Sequence, residues 1–220
     1  RHLDAPQRVL VTGGTGFIGK RLCQALVEAG HDVTVLTRDP RKARDLPTPI
    51  RIATACGEFG DDTVFDAVIN LAGASVAGGR WTERRKAVLR ASRIDTTRDI
   101  VALIGRLTTR PEVLVSASAI GFYGTDSDQA ITENDRDMPG FSHDMCAERE
   151  AEARKASRYG VRVVELRLSL VLGAQGGPLG AMLPAFEFGA GARIGHGCQW
   201  MSWVHLDDAI RAMAFLIARK

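Results

Sequence analysis

The chain has 220 residues, 45% of them hydrophobic, with 29 Lys and Arg against 26 Asp and Glu. That length and apolar share are enough for one large domain with a substantial core. A net charge of +3, with cations interleaved among acids, lacks the long basic run of a nucleic-acid or lipid surface, and no apolar run approaches the ~20 residues that span a bilayer.

In chain order, "RVLVT" (8–12) is a short β-branched run that stops at glycine, as a buried parallel strand does. Phe17, Ile18, Leu22, Ala25, Leu26 and Ala29 then recur at helical spacing until Gly30, which can supply a left-handed C-terminal cap. "DVTVLT" (32–37) is the next strand, Asp39-Pro40 starts a helix, and "IRIATA" (50–55) is a weaker strand. Strands over 66–73 and 112–119 flank a long helix over 82–107, and a helix over 144–158 precedes a strand over 161–173. Such alternation predicts an α/β fold, a Rossmann-type doubly wound parallel sheet. From 173 the chain is dense in glycine, with a short helix near 179–188. Residues 1–172 therefore read as the dinucleotide-type domain, and 173–220 as loops and a helix on the substrate side, where ligands bind in an open α/β sheet. This second unit is too short for a full lobe. With Arg1 in place of Met and Arg219-Lys220 directly after an amphipathic segment, both ends are expected to be cuts in a longer protein.

Cys23, Cys56, Cys146 and Cys198 form no C-x-x-C pair and no Cys/His group at zinc spacing, which predicts a reduced, cytoplasmic chain. His196 and Cys198 lie two apart but lack further ligands, so no metal is expected.

The stretch "VLVTGGTGFIGKRL" (9–22) fits a dinucleotide loop and nearly fits a P-loop. A P-loop lysine is followed by Ser or Thr, which binds magnesium, whereas Lys20 is followed by Arg21; the strands ending at Thr37, Gly73 and Ala119 also offer no Walker-B aspartate. A preceding strand, a following helix and small residues at the helix start favour the dinucleotide. In that reading Gly13 permits the tight turn, Gly16 lets backbone approach phosphate, and Gly19 lets the helix pack closely. NAD sites place an acid ~20 residues on, whereas NADP needs a cation near its 2′-phosphate. Arg38 ends the second strand with Arg41 and Lys42 beyond, and Asp39 is equally well placed to cap a helix, so NADP is favoured over NAD.

With "TGGTGFIG" (12–19), "NLAGA" (70–74), "SASAIGFYG" (116–124), "GGRWTERRK" (78–86), "SRIDTTRDI" (92–100) and "GHGCQWMSWVHLDD" (195–208), the chain resembles extended or atypical short-chain dehydrogenase/reductases. Within them it is similar to the NAD-dependent epimerase/dehydratase-like branch labelled sugar-nucleotide epimerase or cell-division-inhibitor-like. The resemblance implies that Thr15, Gly16, Phe17 and Ile18 line the cofactor diphosphate, that Arg38 meets the adenosine end, and that Leu71, Ala72 and Gly73 run beside the adenine or ribose. It also implies a further C-terminal stretch that completes a substrate lobe.

The superfamily's Tyr-x-x-x-Lys pair, in which lysine lowers the tyrosine pKa for proton exchange, is missing. Tyr123 and Tyr159 are followed four positions on by Ser127 and Val163, and alignment of "SHDMCAEREAEA" puts Ser142 and Cys146 at the Tyr and Lys positions. Arg149 and Glu150 then occupy the branch's Trp-Glu pair. Candidate catalytic residues are Ser118, matching the substrate-side serine and able to donate to a carbonyl or hydroxyl, Tyr123 and Cys146. Ser116 shares the face of Ser118 if the strand alternates. Lys86 and Arg93 read as a solvated helix face, Trp81, Trp200 and Trp203 as packing residues, and Asp207 or Asp208 as a helix N-cap. Two functions follow: an NADP(H)-dependent oxidoreductase or epimerase-like enzyme on a polar small molecule such as a nucleotide sugar, or a non-catalytic NADP(H)-binding sensor. The sequence leaves oligomeric state open.

Overall fold

Six strands make one parallel sheet in the computed structural model, which describes residues 5–77, 79–124, 130–135, 139–193 and 195–219; Gly78, Ser127, Ile194 and Lys220 fall outside these. They are β1 (Arg8–Thr12), β2 (Asp32–Leu36), β3 (Ile50–Ala53), β4 (Ala67–Asn70), β5 (Val113–Ala119) and β6 (Arg162–Leu168), in the order β3-β2-β1-β4-β5-β6. Strands covered on both faces are apolar throughout, and the period-2 alternation sorts their side chains between two cores. Val9, Val11, Val33, Val35 and Ile69 meet α1 (Phe17–Glu28) and α5 (Leu206–Ala218) on one face. Leu10, Val68 and Leu114 meet Ile100, Leu103 and Ile104 of α2 (Glu83–Arg106) and Ala153 of α3 (Phe141–Arg154) on the other. The order reverses between β1 and β4, and the loops after these two strands diverge there.

Three local expectations change. The strand over 161–173 is two strands: β5 ends at Ala119 opposite Leu168, so β6 has no neighbour beyond that point. The chain turns at Ser169, and β7 (Leu170–Leu172) pairs in parallel with β8 (Trp203–His205). Between them lies α4 (Gly177–Glu187). Asp39-Pro40 starts only one 3-10 turn, Pro40–Ala43, because Pro47 and Pro49 soon follow and remove the amide donors a longer helix needs. The N-cap of α5 is His205, whose Nδ1 accepts from Asp207 N at 3.2 Å; Asp207 instead pairs with Arg21 of α1 at 2.9 Å, and Asp208 with Arg211.

The glycine loop packs closely against its own backbone and the end of β4. Gly13 has φ 71°, and a Cβ there would sit 2.7 Å from the Leu71 carbonyl. A Cβ on Gly19 would lie 2.1 Å from the Gly13 carbonyl oxygen, a backbone atom that cannot swing aside. Gly19→Ala is therefore expected to lower stability by about 1–3 kcal/mol or more, read as a lower urea midpoint with an unchanged slope; an unchanged midpoint contradicts the close approach.

Candidate functional site

An open cleft of about 1090 Å³ lies over the carboxyl ends of β1, β2 and β4, at the point where strand order reverses. Gly13, Thr15 and Gly16 form its floor, Leu71, Ala72 and Gly73 one wall, and Arg38 its far end. Phe17, Ile18 and Gly19 do not line it with side chains. The Phe17 ring packs under a turn so close that a Cβ on Gly177 would lie 2.6 Å from it, and Ile18 joins the α1 core. These three residues open α1, which has no side-chain cap, and the first intrahelical bond runs from Lys20 N to Gly16 O. Their N–H groups are thus left over at a helix N-terminus with no acid in its first turn, a set of donors suited to an anion.

Buried polar bonds fix this floor. Thr12 Oγ1 donates to Asn70 Oδ1 at 2.7 Å, Asn70 Nδ2 donates to Thr97 Oγ1 at 2.9 Å, and Thr12 Oγ1 also accepts from Ala72 N at 3.3 Å. At the far end, Asp39 accepts from Arg41 N (3.2 Å) and Arg41 Nε (3.0 Å). The Arg41 bond, with the backbone bond and Lys42 nearby, holds its carboxyl below the usual range despite some desolvation. Arg38 has no carboxylate partner among the described residues.

Ser118, Tyr123 and Cys146 come together at the end of β5, beside the cleft but not among its lining residues. Ser118 Oγ donates to Glu150 Oε1 at 2.6 Å. Arg167 clasps the same carboxylate with Nε at 2.9 Å and a terminal nitrogen at 2.8 Å, and its other terminal nitrogen donates to the Tyr123 hydroxyl at 2.6 Å. Arg154 adds a fourth bond to Glu150 at 3.1 Å. The guanidinium of Arg167 also lies 3.6 Å above the Phe122 ring. Glu150 is 1% exposed; burial works against its charge, yet the bonds from Arg167 and Ser118 outweigh that and hold its pKa below the ordinary carboxylate range. Cys146 lies against Ser118 and Ala119, and burial pushes its thiol up. Ser116, on the same buried face, has no partner for its Oγ among the described residues.

Sequence reasoning missed Arg167 altogether and left Glu150 as a motif position; only an acid on α3 and a cation next to the last residue of β6 hinted at the pair. Arg93 is not part of a solvated face: its guanidinium is largely buried against Gly73 and donates to the Ala74 carbonyl at 3.1 Å. Lys86, by contrast, pairs with exposed Glu83. Arg149 is buried and donates to Asn70 O at 2.9 Å; burial and nearby Arg93 bring its pKa down to about 9. Among the tryptophans, Trp81 packs edge-on to Phe141, whereas Trp200 and Trp203 are 80% and 58% exposed and belong to neither core. Among the described residues no His, Cys, Asp or Glu group could hold a metal, and no helix is long and apolar enough to cross a membrane.

Residues 9–220 match the sequence model of the NAD dependent epimerase/dehydratase family. The chain belongs to this family. One member, the chloroplastic epimerase family protein SDR39U1 homolog of Arabidopsis thaliana, is 40% identical over 215 residues, covering 94% of this chain and 61% of that protein. The chain thus spans less than two thirds of this relative. The human epimerase family protein SDR39U1 (isoform 2), solved with NADPH, has TM-score 0.80 at 30% identity, covering 94% of this chain and 70% of that one. A nucleoside-diphosphate sugar epimerase from Corynebacterium glutamicum has TM-score 0.79 at 28% identity, over 97% of this chain and 44% of its own. Family and sheet order agree with the resemblance carried by the motifs.

Removal of Arg167 would leave Glu150 charged and buried, so Arg167→Ala is expected to cost about 3–5 kcal/mol. The folded pKa of Glu150 lies below the unfolded value of about 4.3. Its stabilisation is therefore complete above that pH and is lost as pH falls through the folded value. Denaturant titrations from pH 7 to pH 3 should show a shallower acid decline for Glu150→Gln than for the parent chain; parallel declines contradict the pairing.

Proposed function

We propose that the chain binds NADP(H) in the cleft and uses it in oxidoreductase or epimerase-type chemistry on a polar small molecule, with nucleotide sugars as the substrate class. The observation that carries the cofactor choice is the cleft's far end, where Arg38 lacks an acidic partner among the described residues while Asp39 is engaged by Arg41. An acid held by an arginine is a poor acceptor for a ribose diol, and an unpaired guanidinium suits a 2′-phosphate. The residues fit the group: the leftover N–H donors at Phe17, Ile18 and Gly19, above Gly13, Thr15 and Gly16, would hold the pyrophosphate, and Leu71, Ala72 and Gly73 would flank the adenine or ribose. The NADPH complex of the human relative and the sugar epimerase among the structural neighbours support this reading. When bound, the nicotinamide supplies hydride transfer.

On this reading the segment from 173 lies on the substrate side of a dinucleotide domain over 1–172. Ser118 and Tyr123 present hydroxyls toward the substrate, and Cys146, with its raised thiol pKa, lines the site as a neutral group. Free cysteines support the expectation of a reducing compartment such as the cytoplasm.

One observation favours a second reading, an NADP(H)-binding sensor without turnover: at the positions of the Tyr/Lys pair stand Ser142 and a buried Cys146, neither a cation. Arg38→Asp is expected to weaken NADPH binding at least tenfold, about 1.4 kcal/mol, with a smaller effect on NADH, measured by calorimetry. Equal losses contradict the role of Arg38. Turnover across a panel of nucleotide sugars and carbonyls should be seen either as a net change in nicotinamide absorbance or, for epimerisation, which returns the hydride and leaves the cofactor unchanged, as a new epimer in the sugar's NMR spectrum; tight NADPH binding with neither in the full-length protein favours the sensor.

A further inference from the structure

The four polar groups at the end of β5 have a forced direction of hydrogen bonding. Arginine has only donors, an ionised carboxylate has only acceptors, and a serine hydroxyl has one hydrogen. Glu150 receives two bonds from Arg167, one from Arg154 and one from Ser118. A carboxylate clasped in this bidentate way on both oxygens has no hydrogen of its own to give. The single hydrogen of Ser118 is therefore committed to Glu150; Cys146, which also bonds Ser118, can then only donate its S–H to Oγ, and the lone pair that is left is what a ligand can meet. Tyr123 is the opposite case: its oxygen accepts from Arg167, so its own hydrogen points elsewhere and is available to donate.

We propose that Ser118 meets the substrate as a hydrogen-bond acceptor only, so that the group bound at the end of β5 is a hydroxyl or another donor and not a carbonyl. Glu150 and Arg167 are positioning residues in this account: they fix the sense of the Ser118 hydroxyl and touch no substrate. The proposal rests on the reading of the β5 end as the substrate side, and it deepens it by naming the oxidation state recognised, the alcohol. It also reverses the donor role expected of Ser118. A carbonyl oxygen brought against Oγ would face lone pairs, and a buried acceptor left unpaired in this way discriminates strongly between ligands that differ by one hydrogen.

Glu150 does not stand in for the missing tyrosine as a proton acceptor. Its carboxylate already accepts four hydrogen bonds, and taking a proton would cost it these charge-assisted bonds, so it is a weak base. What the chain supplies is orientation, from a charge pair that cannot reverse its polarity.

Two measurements test the proposal. Neutron diffraction from deuterium-exchanged crystals at pH 7 should show deuterium on Ser118 Oγ directed at Glu150 Oε1, with Glu150 bare; deuterium on Glu150 directed at Ser118 overturns it. In solution, the NADP(H)-loaded full-length protein is titrated with UDP-6-deoxyglucose and with UDP-4-keto-6-deoxyglucose, which differ only in the oxidation of one carbon. The parent chain should prefer the hydroxyl sugar at least tenfold. Glu150→Gln, whose amide can donate to Ser118 and release its hydrogen, should narrow or invert that ratio, and Ser118→Ala should abolish it. Equal binding, a preference for the keto sugar, or a ratio unmoved in Glu150→Gln overturns the proposal. Failure of both sugars to bind the parent chain defeats the nucleotide-sugar reading instead, and the neutron map then decides the polarity alone.

Discussion

At Gly13 the chain leaves β1 and passes so close to the end of β4 that only a hydrogen fits where a side chain would be. The approach follows from topology: β1 and β4 are neighbours, their chains part company at the same level, and Leu71 N bonds back to Thr12 O. The shape of the cleft depends on this lack of side chains. That lack lets α1 start at Phe17 directly over the strand ends, leaves three helical N–H groups facing the same space, and puts Arg38, two residues beyond β2, at the other end of a single cleft. The Thr12–Asn70–Thr97 bonds then tie β1, β4 and α2 together beneath it.

A second organising feature is the burial of charge on the β5 side. Glu150 is fully satisfied, and its partner Arg167 stacks on Phe122 as well as bridging to Tyr123. Arg149 is held less completely: one nitrogen reaches the Asn70 carbonyl, while Nε is buried with no partner among the described residues. Charges so placed cost stability unless each bond is made, which makes this region sensitive to conservative changes such as Arg→Lys, since lysine has no planar fork.

The sheet was legible because period-2 apolar runs and one helical period sort cleanly between two faces, and the glycine loop because its residues are contiguous. The break at Ser169 was not, since nothing in "VRVVELRLSLVLG" marks where its neighbour β5 stops; that depends on the length of a strand some fifty residues earlier. In the cleft, Gly13, Gly16 and Arg38 were readable from their place after a strand end, Thr15 and Leu71–Gly73 only from the family resemblance, and the structure gathers them around one space. The Ser118–Glu150–Arg167–Tyr123 chain was not readable as a unit. Its members come from β5, α3, β6 and a turn, and only tertiary packing converts an ordinary acid and an ordinary arginine into a buried pair. Arg93 misled for the related reason that a charge run looks the same whether one of its members faces solvent or a glycine wall.

The central claim is that the backbone donors at the start of α1 and the guanidinium of Arg38 together select NADP(H). A crystal structure of the full-length protein with NADPH tests it most directly. The account predicts the pyrophosphate within hydrogen-bond distance of the Phe17 and Ile18 amides and the 2′-phosphate against Arg38. A dinucleotide bound away from the Gly13–Gly19 loop, or a 2′-phosphate pointing to solvent with Arg38 turned aside, would contradict it.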